Sequence, residues 1–384
     1  MTERRTIAGY ITDANTGEPV IGATVFIAQT SIGVLTDLEG NYRFNLPGEG
    51  SYQLVVSHVG YQSVFMDIEP GSESVEIDVA LNNNVLEEVT VEQKIRFRQQ
   101  DIDLFWETVL GKSPSPKTIY PVNPEDVYYY YNRETRILTV TCRVPLQIIN
   151  PETGYAIQFV LDHFYHDYNT DISSWYYEFM FSELEPENDD QQDIWNENRE
   201  KVYSISLQNF IKSLYNNTLP ENGFLLASVD ITEKTGEDDN YLGARSRRSI
   251  SAAQSDSRNS HNISDFYENT DSLISTDSFW DTKTLSIPTD DKHYVMLICF
   301  GKPIEKAVFQ KEKKIAHANS NFFNEFAMNL LDSGLARNII QTPSDSVEIF
   351  PDGTYIGDLI LLPYENSLSL QGLNLKLPLD YSPE

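Results

Sequence analysis

The stretch Gly-Glu-Pro-Val-Ile-Gly-Ala-Thr-Val at residues 17–25 decides the fold of the first part of the chain. Its Gly and Pro residues favour a turn, and its β-branched residues favour a strand directly afterwards. The same pattern continues on both sides, with predicted strands at Thr6–Ile11, Ala23–Ile27, Gly33–Thr36, Tyr42–Leu46, Tyr52–His58, Tyr61–Ile68 and Val75–Leu81. Short strands separated by turn residues predict a small antiparallel β-sandwich.

The loop Asp37–Asn41 between two of these strands has two readings. Carboxylates spaced along a loop are typical of calcium ligands. A full set of ligand residues is missing here, and Gly40 suits a tight turn. We therefore interpret the loop as a turn.

Four motifs in the first ninety residues resemble the carboxypeptidase-like regulatory domain. They are Gly9-x-Ile11-x-Asp13, residues 17–25, Thr36-Asp37-x-x-Gly40-x-Tyr42 and Gly60-Tyr61. The resemblance implies an Ig-like or prealbumin-like sandwich in an exported protein of Bacteroidetes, where the domain also precedes TonB-dependent transporters. It does not bring peptidase chemistry, because none of the six histidines begins a His-x-x-Glu zinc motif.

Composition excludes several classes of function. The net charge is −30 over 384 residues, so phosphate contacts with nucleic acid would oppose the field of the whole protein. No apolar run is long enough to span a membrane. The family resemblance implies export to the periplasm, the outer membrane or the cell surface, and we therefore expect an export signal that precedes Met1 in the full protein.

We divide the chain into three parts: the sandwich at residues 1–90, a connecting helix and linker at 91–118, and an α+β, β-rich domain of unknown function at 119–384. The chain as a whole is therefore predicted to be mainly β with some α structure. Residues 232–281 are rich in Ser, Asp and Asn and predict a flexible insertion. Apolar residues from Trp195 to Leu214 recur at spacings of three and four and predict one helix.

The second domain also resembles a family. Its motifs are Trp195-x-x-Asn198-Arg199-x-x-Val202-Tyr203, Leu146-Gln147-Ile148-x-Asn150 with Gly154-Tyr155, and the ending Leu377–Tyr381. They look like an uncharacterised family of exported Bacteroidetes proteins whose members also have a regulatory-type module at the N-terminus. The resemblance implies export and brings no known activity.

The sequence predicts no catalytic, cofactor-binding or metal-binding residue, and no cofactor. His163 and His166 lie three apart, so a strand would point them to opposite faces. Cys142 and Cys299 lie in apolar strands, typical of buried thiols, and a disulfide between them stays open. Dispersed carboxylates leave a hydrolase as an open alternative.

Three hypotheses for function follow. The first is a non-enzymatic exported scaffold or accessory protein of the Bacteroidetes envelope, bound to an outer-membrane or surface protein. The second is a carbohydrate-binding protein that uses exposed aromatic residues of Tyr128–Tyr131 and Trp175–Tyr177 to bind a glycan. The third is a hydrolase with a carboxylate-based or metal site.

Overall fold

The computed structural model describes residues 5–71, 73–83, 98–111, 118–231, 261–266, 273–277, 282–287, 293–304, 336–342, 346–357, 359–365 and 372–383. The chain forms two compact units. Unit 1 comprises Met1–Glu200 together with Gln371–Glu384, and unit 2 comprises Lys201–Leu370. In the described part of the chain, no helix is both long and apolar enough to cross a membrane.

Residues 5–83, here called the N-terminal module, form a β-sandwich. Its strands are β1 Thr6–Asp13, β2 Thr24–Ile27, β3 Gly33–Leu35, β4 Asn41–Asn45, β5 Tyr52–Ser57, β6 Val64–Ile68, β7 Val75–Glu76 and β8 Val79–Leu81. One sheet has the order β4-β1-β7 with β8 also on β1, and the other has the order β3-β2-β5-β6. Alternate apolar residues fill the space between the sheets, among them Ile7, Ile11, Val25 and Leu54.

The predicted sandwich is confirmed, with one difference in pairing. β1 runs parallel to β7 and β8, whereas the other pairs of the module are antiparallel. The loop Asp37–Asn41 is a turn in which the Asp37 carboxylate accepts hydrogen bonds from the backbone N–H groups of Glu39 and Asn41. Gly40 has a φ of +81° and lies against the Ile11 carbonyl, so a side chain does not fit there.

The rest of unit 1 is built around a second sheet. Its elements are α1 Gln99–Leu110, β9 Tyr120–Pro121, β10 Val127–Asn132, β11 Ile137–Cys142, β12 Leu146–Asn150, β13 Tyr155–Asp167, β14 Ile172–Glu183 and α2 Asp189–Ser204, whose residues from Lys201 onward belong to unit 2. The order is β10-β11-β13-β12-β9, and β14 pairs with the whole length of β13. α1 covers one face of this sheet, where its Phe105 ring contacts the rings of Tyr129 and Phe164.

The N-terminal module packs on the opposite face of this sheet. Phe26, Ala28 and Val55 of the module form a buried cluster with Val160 of β13, and Met180 of β14 packs against it. The turn between β2 and β3 also extends the edge of β14, because Gln29 N–H donates to the Phe179 carbonyl and Phe181 N–H donates to the Thr30 carbonyl. The module is therefore joined to the second sheet by backbone pairing as well as by side-chain packing.

Unit 2 has one further helix and two sheets in its described part. Its elements are α3 Leu207–Tyr215, β15 Phe224–Ile231, β16 His261–Phe266, β17 Ile274–Asp277, β18 Thr282–Leu285, β19 His293–Cys299, β20 Ala336–Gln341, β21 Val347–Ile349, β22 Tyr355–Ile356 and β23 Ile360–Glu365. The sheets have the orders β16-β15-β19-β20-β23 and β17-β18-β21-β22. Their core contains Phe210, Leu214, Phe224 and Leu297. The fold class predicted from the sequence, β-rich with some α structure, is confirmed.

One local prediction changes, and a second is covered only in part by the described residues. The single helix predicted from Trp195 to Leu214 is wrong: α2 ends at Ser204, and Ser206 starts α3 as its N-cap by accepting from Asn209 N–H. Within residues 232–281, the structure describes β16 and β17, and the other residues of that range lie outside the described residues, apart from Leu273.

Candidate functional site

The residues of the Trp-x-x-Asn-Arg motif lie on one side of α2, because positions three and four apart share a helix face. All three side chains donate to the tight turn between β12 and β13. The bonds are Trp195 Nε1 to the Pro151 carbonyl (2.8 Å), Asn198 Nδ2 to the Glu152 carbonyl (2.9 Å) and Arg199 Nε to the Thr153 carbonyl (2.7 Å). The motif thus pairs consecutive backbone carbonyls that the turn leaves without strand partners.

Gly154 closes this turn in a conformation that suits glycine. Its φ is +68°, and a Cβ placed there would lie 2.2 Å from the Trp195 ring. Asn150 begins the turn, and its side-chain oxygen accepts from the N–H groups of Glu152 and Thr153. The Asn150 and Gly154-Tyr155 motif is therefore the counterpart of the α2 motif, and both serve to fix α2 on the sheet.

A cleft of about 350 Å³ opens beside this turn. Its lining residues are Ser31, Tyr155, Glu183, Asn196, Arg199, Glu200, Pro378, Asp380, Tyr381 and Ser382. The Arg199 guanidinium lies 4.1 Å from the centre of the Tyr155 ring and 3.2 Å from a Glu183 oxygen. Burial raises the pKa of Tyr155 above its ordinary value, so the ring is a neutral support for the cation.

The third motif, Leu377–Tyr381, forms one wall of this cleft. Leu379 N–H donates to the Gln29 carbonyl (2.8 Å), and the Asp380 carboxylate accepts from both the N–H and the hydroxyl of Ser31. The C-terminal segment therefore holds the β2–β3 turn of the N-terminal module. All three motifs of the second family resemblance converge at this place.

Three charged groups of the cleft, Glu183, Arg199 and Asp380, are bonded within the fold. Arg199 bonds to backbone carbonyls and to Glu183, and Asp380 bonds to Ser31. In the part of the chain that the structure describes, no group of three or more His, Cys, Asp or Glu side chains is arranged to hold a metal ion.

One buried carboxyl group lies where the module meets the second sheet. Glu178 of β14 is 8% exposed, and its Oε2 accepts a hydrogen bond of 3.3 Å from Gln29 Nε2. Burial raises the pKa of Glu178 to about 7, against the lowering effects of the Gln29 hydrogen bond and of Lys376. Its charge therefore changes near neutral pH at this junction.

His163 and His166 are not brought together, and neither Cys142 nor Cys299 is in a disulfide. His166 is buried and bonds through Nδ1 to the Ser173 hydroxyl, whereas His163 lies on the opposite face of the sheet. Cys142 is in unit 1 and Cys299 in unit 2, and both are free thiols whose pKa burial raises to about 12. A thiol with such a pKa is a poor nucleophile at neutral pH.

Some of the aromatic residues proposed for glycan stacking are packed inside the fold, and others are exposed to solvent. Tyr129 packs on Phe105, Tyr177 on Phe159, and the Tyr176 hydroxyl donates to Gln53 of the module. Trp175 is 42% exposed beside Phe164. The most exposed ring near this group is Tyr165 at 46%, which sequence reasoning did not select.

Residues 7–91 match the sequence model of the family described as CarboxypepD_reg-like domain. The predicted resemblance of the N-terminal module is thereby confirmed. The chain is also 36% identical over 88 residues to the TonB-dependent receptor SusC of Bacteroides thetaiotaomicron. That match covers 22% of this chain and only 8% of the receptor, so it concerns a small part of the relative's length.

Solved structures with local similarity have low overall agreement. A 5-hydroxyisourate hydrolase of Klebsiella pneumoniae is 20% identical, with 21% of this chain and 90% of that chain covered and a TM-score of 0.18. A DUF3823 family protein from Bacteroides uniformis is 10% identical, with 47% and 100% covered and a TM-score of 0.16. TM-scores this low say nothing about function.

Proposed function

We propose that this chain is a non-enzymatic accessory protein of a Bacteroidetes-type cell envelope that binds an outer-membrane or surface protein. The observation that carries the proposal is the CarboxypepD_reg-like domain at residues 7–91, whose sequence is also similar to part of SusC. The resemblance of that domain to modules of exported proteins supports a location outside the cytoplasm.

The way unit 1 uses its charged residues bears on the hydrolase alternative. The three sequence motifs of the second domain fix α2, a turn and the C-terminal segment against one another. The Arg199 and Asp380 side chains are bonded within this arrangement, and catalysis would need such groups to be available to a substrate. The hydrolase alternative gains no support from the cleft.

We infer that the partner protein binds an apolar edge at one end of the β3-β2-β5-β6 sheet. This apolar edge consists of Ile21, Leu35, Leu38 and Val59, each more than half exposed. Thr24 pairs with both Leu35 and Ser57, so the residues that follow β3 and β5 come to the same end of the sheet. Exposed aliphatic side chains grouped in this way are typical of protein interfaces.

The test combines fractionation with cross-linking in the native host. We expect the wild-type protein in the envelope fraction, cross-linked reproducibly to one envelope protein. Leu35→Glu and Val59→Glu should lose that cross-link, whereas Ile194→Glu, an equally exposed aliphatic position on α2, should keep it. Recovery in the cytosol would contradict the location, and an envelope fraction without a reproducible partner would contradict the accessory role.

A further inference from the structure

The N-terminal module packs on the face of the second sheet that lies opposite α1, and it does not cover that face completely. On β10 and β11, Tyr129, Leu138 and Val140 point toward α1 and are buried or packed, so their neighbours point the other way. We call this other side the open face. Its residues are Tyr128, Tyr130, Thr139, His163, Tyr165 and Ser174, all half-buried or exposed.

A β-bulge at Asp162 determines which residues of β13 reach the open face. Leu161 pairs with Tyr177 and His163 pairs with Tyr176, so Asp162 is an extra residue in β13. Before the bulge, odd-numbered residues such as Phe159 are buried; after it, His163 and Tyr165 point to the open face and Phe164 is buried instead. Bulges that redirect side chains in this way are common beside binding sites.

One row of residues crosses four strands of the open face. The pairing of strands aligns Tyr130 with Thr139, Thr139 with Tyr165, and Tyr165 with Ser174. Tyr130 and Tyr165 are therefore two strands apart, or about 10 Å. This separation is close to the length of two sugar residues in an extended glycan, with the Thr139 hydroxyl between the two rings.

The Tyr165 ring of this row is held in place by its neighbours. The His163 ring lies 5.4 Å from the Tyr165 ring at an angle of 25° between their planes. His163 is itself fixed, because its Nδ1 is 2.6 Å from Asp162 Oδ2 and its Nε2 is 3.5 Å from the Ser174 hydroxyl. Tyr165 is thus an ordered ring that remains 46% exposed, which lowers the entropy lost when a ligand stacks on it.

Charge and composition decide which ligand suits this row. Asp162 lies beside it and Asp167 follows Tyr165 by two residues, whereas Arg143 stacks on the Tyr128 ring, outside the row. The net charge of the chain is −30, so an anionic ligand is disfavoured. The row combines flat rings with hydroxyl groups and contains no aliphatic side chain. It matches a neutral molecule that has both apolar faces and many hydroxyls.

We propose that the row Tyr130, Thr139, Tyr165 and Ser174 is a binding site for a neutral, extended polysaccharide. Tyr130 and Tyr165 stack on alternate sugar rings, and the hydroxyls of Thr139 and Ser174 bond to the sugar between and beside them. The site is separate from the apolar edge. An experiment that disproves glycan binding therefore leaves the accessory role standing, and an experiment that disproves the accessory role leaves glycan binding standing.

The test measures binding of the full chain to four polymers. Neutral hydroxyethyl cellulose and anionic carboxymethyl cellulose share the same β-1,4-glucan backbone and differ in charge. Glucomannan and xylan are two further neutral polymers. We expect retardation in affinity gels by at least one neutral polymer and weaker retardation by carboxymethyl cellulose. Tyr165→Ala and Tyr130→Ala should each raise the dissociation constant about tenfold, the loss of one stacked ring. Tyr165→Phe, which keeps the ring and the packing of His163, should bind like the wild type.

Tyr120→Ala is the matched control, since Tyr120 is 40% exposed on the same sheet but lies on β9, away from the row. It should leave binding unchanged. The proposal is overturned if no neutral polymer binds, if carboxymethyl cellulose binds more tightly, or if Tyr130→Ala and Tyr165→Ala, shown to be folded by their circular dichroism, bind like Tyr120→Ala.

Discussion

Replacing Glu178 by Gln should change how the stability of unit 1 depends on pH. In the folded protein burial raises the pKa of Glu178 from 4.5 to about 7. The folded state therefore binds this proton more tightly than the unfolded state, so Glu178 is neutral in the folded protein between these two pH values. The contribution of Glu178 to the unfolding free energy is therefore greatest below pH 4.5, falls as the pH rises to 7, and changes no further above it.

The magnitude follows from the size of the shift. A pKa difference of this size corresponds to roughly 3 kcal/mol of unfolding free energy, at about 1.4 kcal/mol per pKa unit. Glu178→Gln cannot ionise, so its unfolding free energy should be close to that of the wild type at pH 4.5 and higher by roughly 3 kcal/mol at pH 8. The neutral Gln also keeps the size of the side chain beside Gln29.

Urea unfolding of both proteins between pH 4.5 and 8, followed by tryptophan fluorescence, measures this difference. Comparing variant with wild type removes the contributions of all other titrating groups. Glu185→Gln, at an exposed position of the same unit, controls for the loss of a surface carboxylate and should show no such trend. If the unfolding free energies of Glu178→Gln and wild type differ by the same amount at both ends of the pH range, the Glu178 carboxyl does not titrate differently in the folded and unfolded states.

Two further substitutions test the junction of the three motifs by urea unfolding of unit 1. Gly154→Ala should lower the unfolding free energy by more than about 2 kcal/mol, because it adds backbone strain and a clash with Trp195. Gly60→Ala, at a similar positive φ with no neighbouring atom, should cost only the strain, and equal losses at the two glycines would show that Trp195 is not packed there. Asp380→Ala should cost about 1 kcal/mol through its two lost hydrogen bonds to Ser31; an unchanged stability would mean that the C-terminal segment does not hold the module.

The sandwich could be predicted from the sequence because its determinants are local. Turn residues such as Gly17 and Gly40 separate strands short enough to be recognised one at a time. The motif Trp195-x-x-Asn198-Arg199 was also visible, but its role was not, since its partners are backbone carbonyls more than forty residues away. Backbone carbonyls leave no pattern in the sequence.

The open face shows a second reason why the sequence predicts only part of the structure. Strict alternation places Phe159 and Tyr165 on the same side of β13, and only the bulge at Asp162 separates them. A single extra residue in a strand moves every later side chain to the other face. The neighbours of Tyr165 across the sheet, Thr139 and Ser174, depend on the pairing of three strands, which the sequence of one chain does not specify.

Amide hydrogen exchange of the intact chain is the decisive measurement of whether the N-terminal module is a fixed part of unit 1. The Gln29 and Phe181 amides donate across the junction, to the Phe179 and Thr30 carbonyls. We predict that both exchange as slowly as the Val55 amide in the core of the module. If the Gln29 and Phe181 amides exchange at the rate of exposed loops while the Val55 amide stays protected, the module moves independently of the second sheet, which would contradict a fixed junction.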